Sequence, residues 1–574
     1  MRVLFLAAHY AYYRNFESVV LALAERGHSV HLAADERESL GGAALVERLA
    51  AGRPGVTYGF APSLDNEPWF LLARKLRSAS DYVRFHDSAF APFSKSRLTL
   101  RERIPRGVLR LMDAGVGSSP SARRVLRAVL RAGERVMPVS EASRAFIEAQ
   151  NPDVVLVASA TAWRLPQIDH LRAARALGRR TGVCVFSWDH LSSKALLRDV
   201  PDSVLLWNET QKREAIEWHG MPEERIAVTG AQCYDQWFDR APSRNRDSFC
   251  QAVGLSSNHP IILYVCSVMT PNPTESTFVL RWIEEIRRSP DPRLRDAGIL
   301  VRPHPERMDE WKDVSLERFG NVVLYGRNPV SPDTQADYFD SLYHSHAVFG
   351  LVTSAFLEAA IVGRPVLTLL LPEFEMYQEG VQHFRYLMNV EGGLLRATGS
   401  IPDHLVELAA TIAQSTERDE RNKRFVRAFV RPQGLDVRAT PAFVAAVEAI
   451  ASGSPRPADV PPAWHTALQP FVRAVSRSSE QGWLRAVLRD TPEMINDRAR
   501  IRKAAHKQAA AIERDQRVAK KRQLLDERRR ERQREQWAGA RRKHLARIKK
   551  HPARIKKHLA RIKGRLKALI GSSL

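Results

Sequence analysis

Short, unbroken apolar runs alternate with stretches of helical periodicity along the first 450 residues of this chain. Val3–Ala8 is apolar throughout, the mark of a strand buried on both faces. Phe16 to Arg26 then sets Val19, Val20, Leu23 and Ala24 on one helical face. Gly27 ends that helix, and Val30–Ala34 is a second apolar run. Strand, helix, glycine, strand is a βαβ unit and predicts a parallel sheet. The motif returns with strands at Val154–Ala158, Gly182–Ser187, Ser203–Trp207 and Ile226–Thr229 and a helix over 167–178. A polar stretch over 241–260 separates these from a second series of strands. These are Ile261–Cys266, Gly298–Val301, Val322–Tyr325, Ala347–Leu351 and Pro365–Leu371, with helices near 277–288, 336–344 and 354–362. Helices near 402–415 and 440–451 are expected to close this second half. The pattern predicts an α/β protein with two Rossmann-like halves, 1–240 and 241–452. A Pro-, Ser- and Gly-rich linker with a short helical region follows over 453–500, and then a tail over 501–574.

Composition changes this picture in one place. The 574 residues are 44% apolar and 26% charged, ordinary for a globular chain that needs no disulfides to bury a core. The net charge of +24 is uneven: residues 501–574 hold 26 Lys and Arg against 6 Asp and Glu, a net +20, leaving +4 for residues 1–500. A nucleic-acid binder that is basic over its whole fold is therefore excluded, and the tail is the basic object. Cys184, Cys233, Cys250 and Cys266 form no C-x-x-C pair and read as reduced thiols of a cytoplasmic protein. The apolar start at Met1–Ala8 is too short for a signal peptide, and no run of about 18 apolar residues predicts a membrane span.

Candidate chemistry gathers at strand ends, where parallel sheets bind their ligands. After the strand at 347–351 comes Thr353-Ser354, then a helix carrying Glu358 in its first turns. A helix start offers free N–H groups to phosphate, Thr353 and Ser354 add hydroxyls, and a carboxylate at 358 suits two ribose hydroxyls. Ordinary capping by Ser354 stands as the alternative, weakened because Leu357 occupies the acidic position of a capping box. Arg302 and His304 end another strand, where a cation and an imidazole suit phosphate; a proline-locked turn with a structural histidine is the alternative. In the first half, Trp188, Asp189, His190 and Lys194 follow a buried strand. Asp189 or His190 is a candidate general base there, and His9, beside Tyr10, Tyr12 and Tyr13, is another. Ser267, before Thr270, Pro271 and Asn272, and His383, after the last strand, complete the candidates; Asn208 and Gln232 also sit at strand ends and are expected to line the cleft.

The segment Gly350–Pro365, with Thr353-Ser354, Glu358 and the Gly363-Arg364-Pro365 exit, resembles the nucleotide-binding segment of GT-B-fold glycosyltransferases. It also resembles that of their relatives, the UDP-GlcNAc 2-epimerases and CDP-glycerol glycerophosphotransferases. Arg302-Pro303-His304-Pro305 is similar to a segment of several of those relatives. The resemblance implies two Rossmann-like domains facing a cleft and a nucleotide-sugar donor as substrate. Thr353 and Ser354 would then cradle its phosphates and Glu358 bind its ribose, with Ser267, Arg302 and His304 completing the donor site. It implies His383 near a glycan or lipid-linked acceptor, and Trp188 and Lys194, gathered at their strand end, are expected on the same side of the cleft. No Asp-x-Asp motif occurs, so a transferase of this kind is expected to need neither metal nor cofactor. Bacterial surface-polysaccharide assembly is the expected setting. An epimerase or glycerophosphotransferase, or a non-catalytic scaffold, remains an alternative.

The tail has its own pattern. Three seven-residue copies begin at His544, His551 and His558, and Leu545, Ile548, Ile555, Leu559, Ile562, Leu566 and Leu569 form an apolar stripe rimmed by Lys and Arg. Pro552 within the stripe and the scarcity of acids disfavour a coiled coil. A basic amphipathic helix over 544–570 fits the anionic inner face of a membrane, with nucleic acid the weaker alternative.

Overall fold

The computed structural model describes residues 1–35, 42–65, 67–101, 104–161, 166–269, 275–329, 331–414, 420–454, 457–459, 462–478, 556–557 and 559–564. Two compact units are present, Met1–Asp497 and Arg498–Leu574. In the second, residues 556–557 and 559–564 are helical and exposed. The rest of the predicted 544–570 stripe lies outside the described residues, as do Thr270, Pro271 and Asn272.

The first unit holds two parallel sheets. One comprises β1 (Arg2–Leu6), β2 (Ser29–Asp35), β3 (Val56–Ala61), β4 (Val154–Ala158), β5 (Arg180–Cys184), β6 (Ser203–Leu206) and β7 (Ile226–Val228), in the order β3-β2-β1-β4-β5-β6-β7. The other comprises β8 (Ile261–Val265), β9 (Gly298–Arg302), β10 (Val322–Leu324), β11 (Ala347–Phe349), β12 (Val366–Leu369) and β13 (Arg396–Thr398), in the order β10-β9-β8-β11-β12-β13. The order reverses between β1 and β4 and again between β8 and β11, the switch points where open α/β sheets form ligand crevices. The central strands are the predicted apolar runs, and β4, β8 and β9 are buried along their whole length. The edge strands β3 and β13 do not carry that pattern. The middle of β3 is largely exposed and β13 is half-buried, so neither reads as a strand in the sequence. This is the expected α/β arrangement, with two parallel sheets.

One element lies elsewhere than expected. The helix Ala439–Ser452, assigned by its order in the chain to the second half, packs on the first sheet, where Phe443, Val444 and Val447 share a core with Val3, Phe5 and Leu156. Buried Asp235 fastens its start by accepting from the N–H groups of Ala439 (3.0 Å) and Thr440 (2.7 Å) and from Arg431 (2.9 Å). Gly230, at a φ of 85°, admits it: a Cβ there would stand 2.8 Å from that of Ala439. Amphipathic spacing shows that one face of a helix is buried but not which sheet buries it.

A helical lobe between β3 and β4 also departs from the strand-helix pattern. It contains the helices Phe70–Arg84, Ser94–Arg101, Arg106–Leu111, Pro120–Arg135 and Glu141–Gln150. Buried ion pairs tie it to the sheet. Arg77 meets Asp169 at 2.6 Å and Glu134 at 2.9 Å, and Arg198 meets Asp81 at 2.7 Å and Glu134 at 3.1 Å. Removing one partner would leave a buried charge, a loss of roughly 3–5 kcal/mol. Arg84 of the same lobe donates to the carbonyl of Lys194 at 2.8 Å and so sets the backbone of a candidate site residue.

Candidate functional site

Two clusters form at the C-terminal strand ends, one on each sheet. The first surrounds Glu358 in the short helix Ala355–Ile361 after β11. Tyr338, from the helix Pro332–Tyr343, donates its phenol to the Glu358 carboxyl. Burial lifts that carboxyl to about 7, against the hydrogen bond from Tyr338 and the fields of Arg14, Arg302 and Arg240. The group therefore stands near half-ionised at neutral pH, with little water to satisfy a full charge. Ser354 occupies the N-cap position, yet its hydroxyl makes no capping bond and is exposed. Thr353 Oγ1 accepts from the Ala355 N–H at 3.3 Å instead. Among the described residues nothing accepts from the backbone N–H groups of Thr353 and Ser354. Simple capping by Ser354 is thus not what this loop does.

Ser267 meets this loop directly, Arg302 meets Tyr338, and His304 caps a neighbouring turn. Ser267 is buried and acts as a bracket: its hydroxyl accepts from the Val352 N–H (3.1 Å) and donates to Glu275 (3.2 Å). Glu275 also accepts from the Ser267 N–H (2.7 Å) and from Tyr264 (2.9 Å), and burial pushes its carboxyl up to about 7. Arg302 is likewise buried and committed to the protein. It donates to Ser341 Oγ (3.1 Å) and the Arg327 carbonyl (3.1 Å) and lies 4.6 Å from the centre of the Tyr338 ring. Gly326 makes room for it, since a Cβ there would come within 2.8 Å of the guanidinium. Ser267 and Arg302 thus brace the site: one holds the loop after β11, the other holds Tyr338 against Glu358. His304 is half-buried and caps the turn that follows, its Nδ1 accepting from the Glu306 N–H at 3.2 Å. An accepting Nδ1 puts the ring proton on Nε2 and leaves that edge a donor. Burial lowers its pKa, so the ring is neutral at pH 7.

The second cluster follows β5. The Asp189 carboxylate meets Lys194 at 3.3 Å and accepts from Ser187 (2.5 Å) and Ser193 (3.3 Å). Burial alone would raise its pKa; Lys194, His190 and His383 outweigh that and hold it well below the usual carboxylate range. Burial lowers both His190 and His383 to about 4, with Asp189 opposing, so both rings are neutral at pH 7. His383, in the helix Gln382–Asn389 after β12, meets Trp188 edge-on at 4.9 Å. The second half therefore reaches the first half's candidates directly. His9 ends β1 and joins this group through aromatic contacts: His9 lies 5.4 Å from Tyr12, Tyr12 lies 5.1 Å from Phe186, and Phe186 lies 4.5 Å from His190.

Other residues near these clusters have weak sequence signals. Arg14, in the turn after β1, acts electrostatically on both Glu358 and His304 and so spans the two sheets. Its only signal is its place beside a switch point. Lys95, on the lobe helix Ser94–Arg101, sits 4.7 Å from the ring centre of Tyr377 and interacts with Asp189 and Lys194; burial, with Lys194 adding, lowers it to about 8. Glu214 accepts from Tyr386 at 2.6 Å across the two halves and is raised by burial to about 8. Asn208 and Gln232, expected to line the cleft, donate to backbone carbonyls, and only Asn208 bonds across the two halves. Asn208 donates to the Phe429 carbonyl (2.7 Å) and Gln232 to that of Asn15 (3.1 Å). The four cysteines form no disulfide. Among the described residues no helix is long and apolar enough to cross a membrane.

No family model and no curated protein sequence matches the chain. Solved structures are similar to it. A UDP-GlcNAc 2-epimerase from Neisseria meningitidis bound to UDP-GlcNAc is 13% identical, covering 78% of this chain and 100% of its own, with a TM-score of 0.43. A glycosyltransferase from Rickettsia africae is 12% identical, covering 79% of this chain and 99% of its own, with a TM-score of 0.45. The UDP-GlcNAc 2-epimerase from Methanocaldococcus jannaschii is 11% identical, covering 78% and 100%, with a TM-score of 0.45.

Proposed function

We propose that this chain is a glycosyltransferase that takes a sugar from a nucleotide-activated donor and delivers it to the hydroxyl of a glycan or lipid-linked acceptor. The observation that carries the reading is Glu358: a half-buried carboxyl at a switch point, held by Tyr338 and poised near half-ionisation. Ribose hydroxyls donating to it would favour its ionised form and replace the water it lacks. The open N–H groups of Thr353 and Ser354, the Nε2–H of His304 and the cation of Arg14 suit the diphosphate.

In the transfer, the acceptor oxygen bonds to the anomeric carbon of the donor as the bond from that carbon to the diphosphate oxygen breaks. The electron pair leaves with the nucleoside diphosphate. The acceptor proton passes to a cleft base. Asp189, already saturated by Lys194 and two hydroxyls, suits positioning, whereas neutral His190 has a lone pair available for the proton. Lys95 and Lys194 against one carboxylate leave this side of the cleft net positive, which favours the departing charge. The charged groups named here do this work without a metal or cofactor. The tail over 544–570 would hold the enzyme on an anionic membrane, consistent with bacterial surface-polysaccharide assembly.

A thermal-shift screen of UDP-, GDP-, CDP- and CMP-linked sugars tests the donor site, and one class is expected to stabilise the protein. No shift with any of them rejects the enzyme reading. Product analysis with the active class then separates transfer from epimerisation or glycerophosphate transfer.

A further inference from the structure

The near-neutral total of residues 1–500 hides a second basic region. Residues 70–135 of the helical lobe hold 15 Lys and Arg against 5 Asp and Glu, a net +10, so the rest of the body is acidic. Within the lobe, the helix Pro120–Arg135 buries Leu130 together with two charged residues. Arg123 and Glu134 face inward and are buried, while Val125 and Val129, one turn apart, are 65% and 62% exposed. Arg124 and Arg135 flank that outward stripe and are exposed as well. Inward charges are retained by their partners, Glu134 with Arg77 and Arg198, and Arg123 with Asp87 at 3.5 Å. The outward valines have no such account.

The helix Ala463–Ser478 extends this surface. Its Val472 is buried with Leu64, Trp69 and Phe70 at the base of the lobe, so the helix is docked by one face. Its other side presents Trp464, Leu468 and Phe471 at spacings of four and three, with Trp464 54% and Phe471 67% exposed. Val136, which follows the end of Pro120–Arg135, packs in the same cluster as Val472 and Val475 and joins this stripe to that helix. Residues 463–478 contain Arg473 and Arg477 and no acid.

We infer that the exposed faces of Pro120–Arg135 and Ala463–Ser478 form a docking surface for an anionic lipid bilayer, with Trp464, Leu468 and Phe471 entering the headgroup region. Large apolar side chains rimmed by arginines without acids fit that interface, where aromatic rings sit at headgroup depth. A second copy of the chain would oppose like charge with like charge. Nucleic acid would match the arginines but leave the valines, Leu468 and Phe471 without use. The surface is independent of the nucleotide-site reading, and either can fail alone.

The test uses the full chain with vesicles of phosphatidylcholine alone or with phosphatidylglycerol. Binding is expected only with the anionic lipid and to weaken with salt. The triple variant Trp464→Glu, Leu468→Glu, Phe471→Glu is expected to lose at least tenfold in affinity even with the tail present, since linked contacts multiply. The milder Val125→Asp, Val129→Asp variant, checked for an unchanged melting temperature, is expected to lose several-fold. A readout that the tail does not move is quenching by brominated phosphatidylglycerol: wild type is quenched more than Trp464→Phe. Equal quenching in the two, or unchanged affinity in both charge variants, overturns the proposal. So does Trp464 emission already blue-shifted before lipid is added, which would assign the face to residues 479–497 of the same chain. Binding to RNA but not to anionic vesicles also overturns it.

Discussion

Glu358 and Asp189 are carboxyl groups at the ends of parallel strands in the same unit, both largely withdrawn from water, and they are driven in opposite directions. Glu358 meets a neutral phenol and is raised to about 7; Asp189 meets an ammonium group at 3.3 Å and is held well below the usual range. Burial acts alike on both, so the partner decides the outcome. A carboxyl left short of charge compensation is ready for donors from a ligand, whereas one already paired organises its surroundings. This contrast underlies the roles proposed for Glu358 towards the donor and for Asp189 in positioning.

The strongest way to break the comparison is Glu358→Gln. It keeps the shape and removes the charge that ribose hydroxyls would favour, so donor affinity is expected to fall on the order of 10³-fold, from two charge-assisted bonds at about 1.5–3 kcal/mol each. An undiminished thermal shift would remove Glu358 from the donor site. Next in size is Asp189→Asn, which leaves Lys194 without its carboxylate. Turnover is expected to drop about 10²-fold with donor affinity nearly unchanged, measured as kcat against Kd. An equal loss in both would place Asp189 in donor binding instead.

Tyr338→Phe sharpens the contrast more gently. One neutral hydrogen bond to the carboxyl is lost, and donor affinity is expected to weaken by about tenfold, on the scale of 1 kcal/mol. The smallest effect is a pH dependence. A raised carboxyl holds its proton more tightly in the folded state than in the unfolded one, so its contribution to stability is lost as pH rises from about 4.5 through 7. Wild type should therefore lose melting temperature relative to Glu358→Gln across that window. Glu275 and Glu214 slope the same way in both proteins and cancel in the difference. A flat difference curve would mean that Glu358 is ionised throughout.

Much of this molecule could be read from the chain. Continuous apolar runs gave away the central strands because a strand buried on both faces admits no polar position, as along Val154–Ala158. Glu358, Thr353 and Ser354 were legible because a strand end, a hydroxyl pair and a helical acid fall close together in sequence. The helical lobe was not: Pro120–Arg135 buries Arg123 and Glu134 beside Leu130 while Val125 and Val129 face outward, and the lobe's partners Asp169 and Arg198 lie far along the chain. Edge strands β3 and β13 carry mixed burial and so no clean period.

The sequence by itself determined the two βαβ series, the apolar strands that build their sheets and the residue types waiting at the strand ends, since all of these follow from local periodicity and local chemistry. Only the tertiary structure decided which of those residues meet. It returned Ala439–Ser452 to the first sheet, set Tyr338 on Glu358 and Lys194 on Asp189, tied Ser267 to Val352 and Arg302 to Tyr338, and brought Arg14 and Lys95 to the clusters from distant segments. The physical reason is that periodicity reports how much of an element is buried, whereas charge state and reactivity depend on which atoms lie within a few ångströms, and those are chosen by packing between segments that the linear chain keeps far apart.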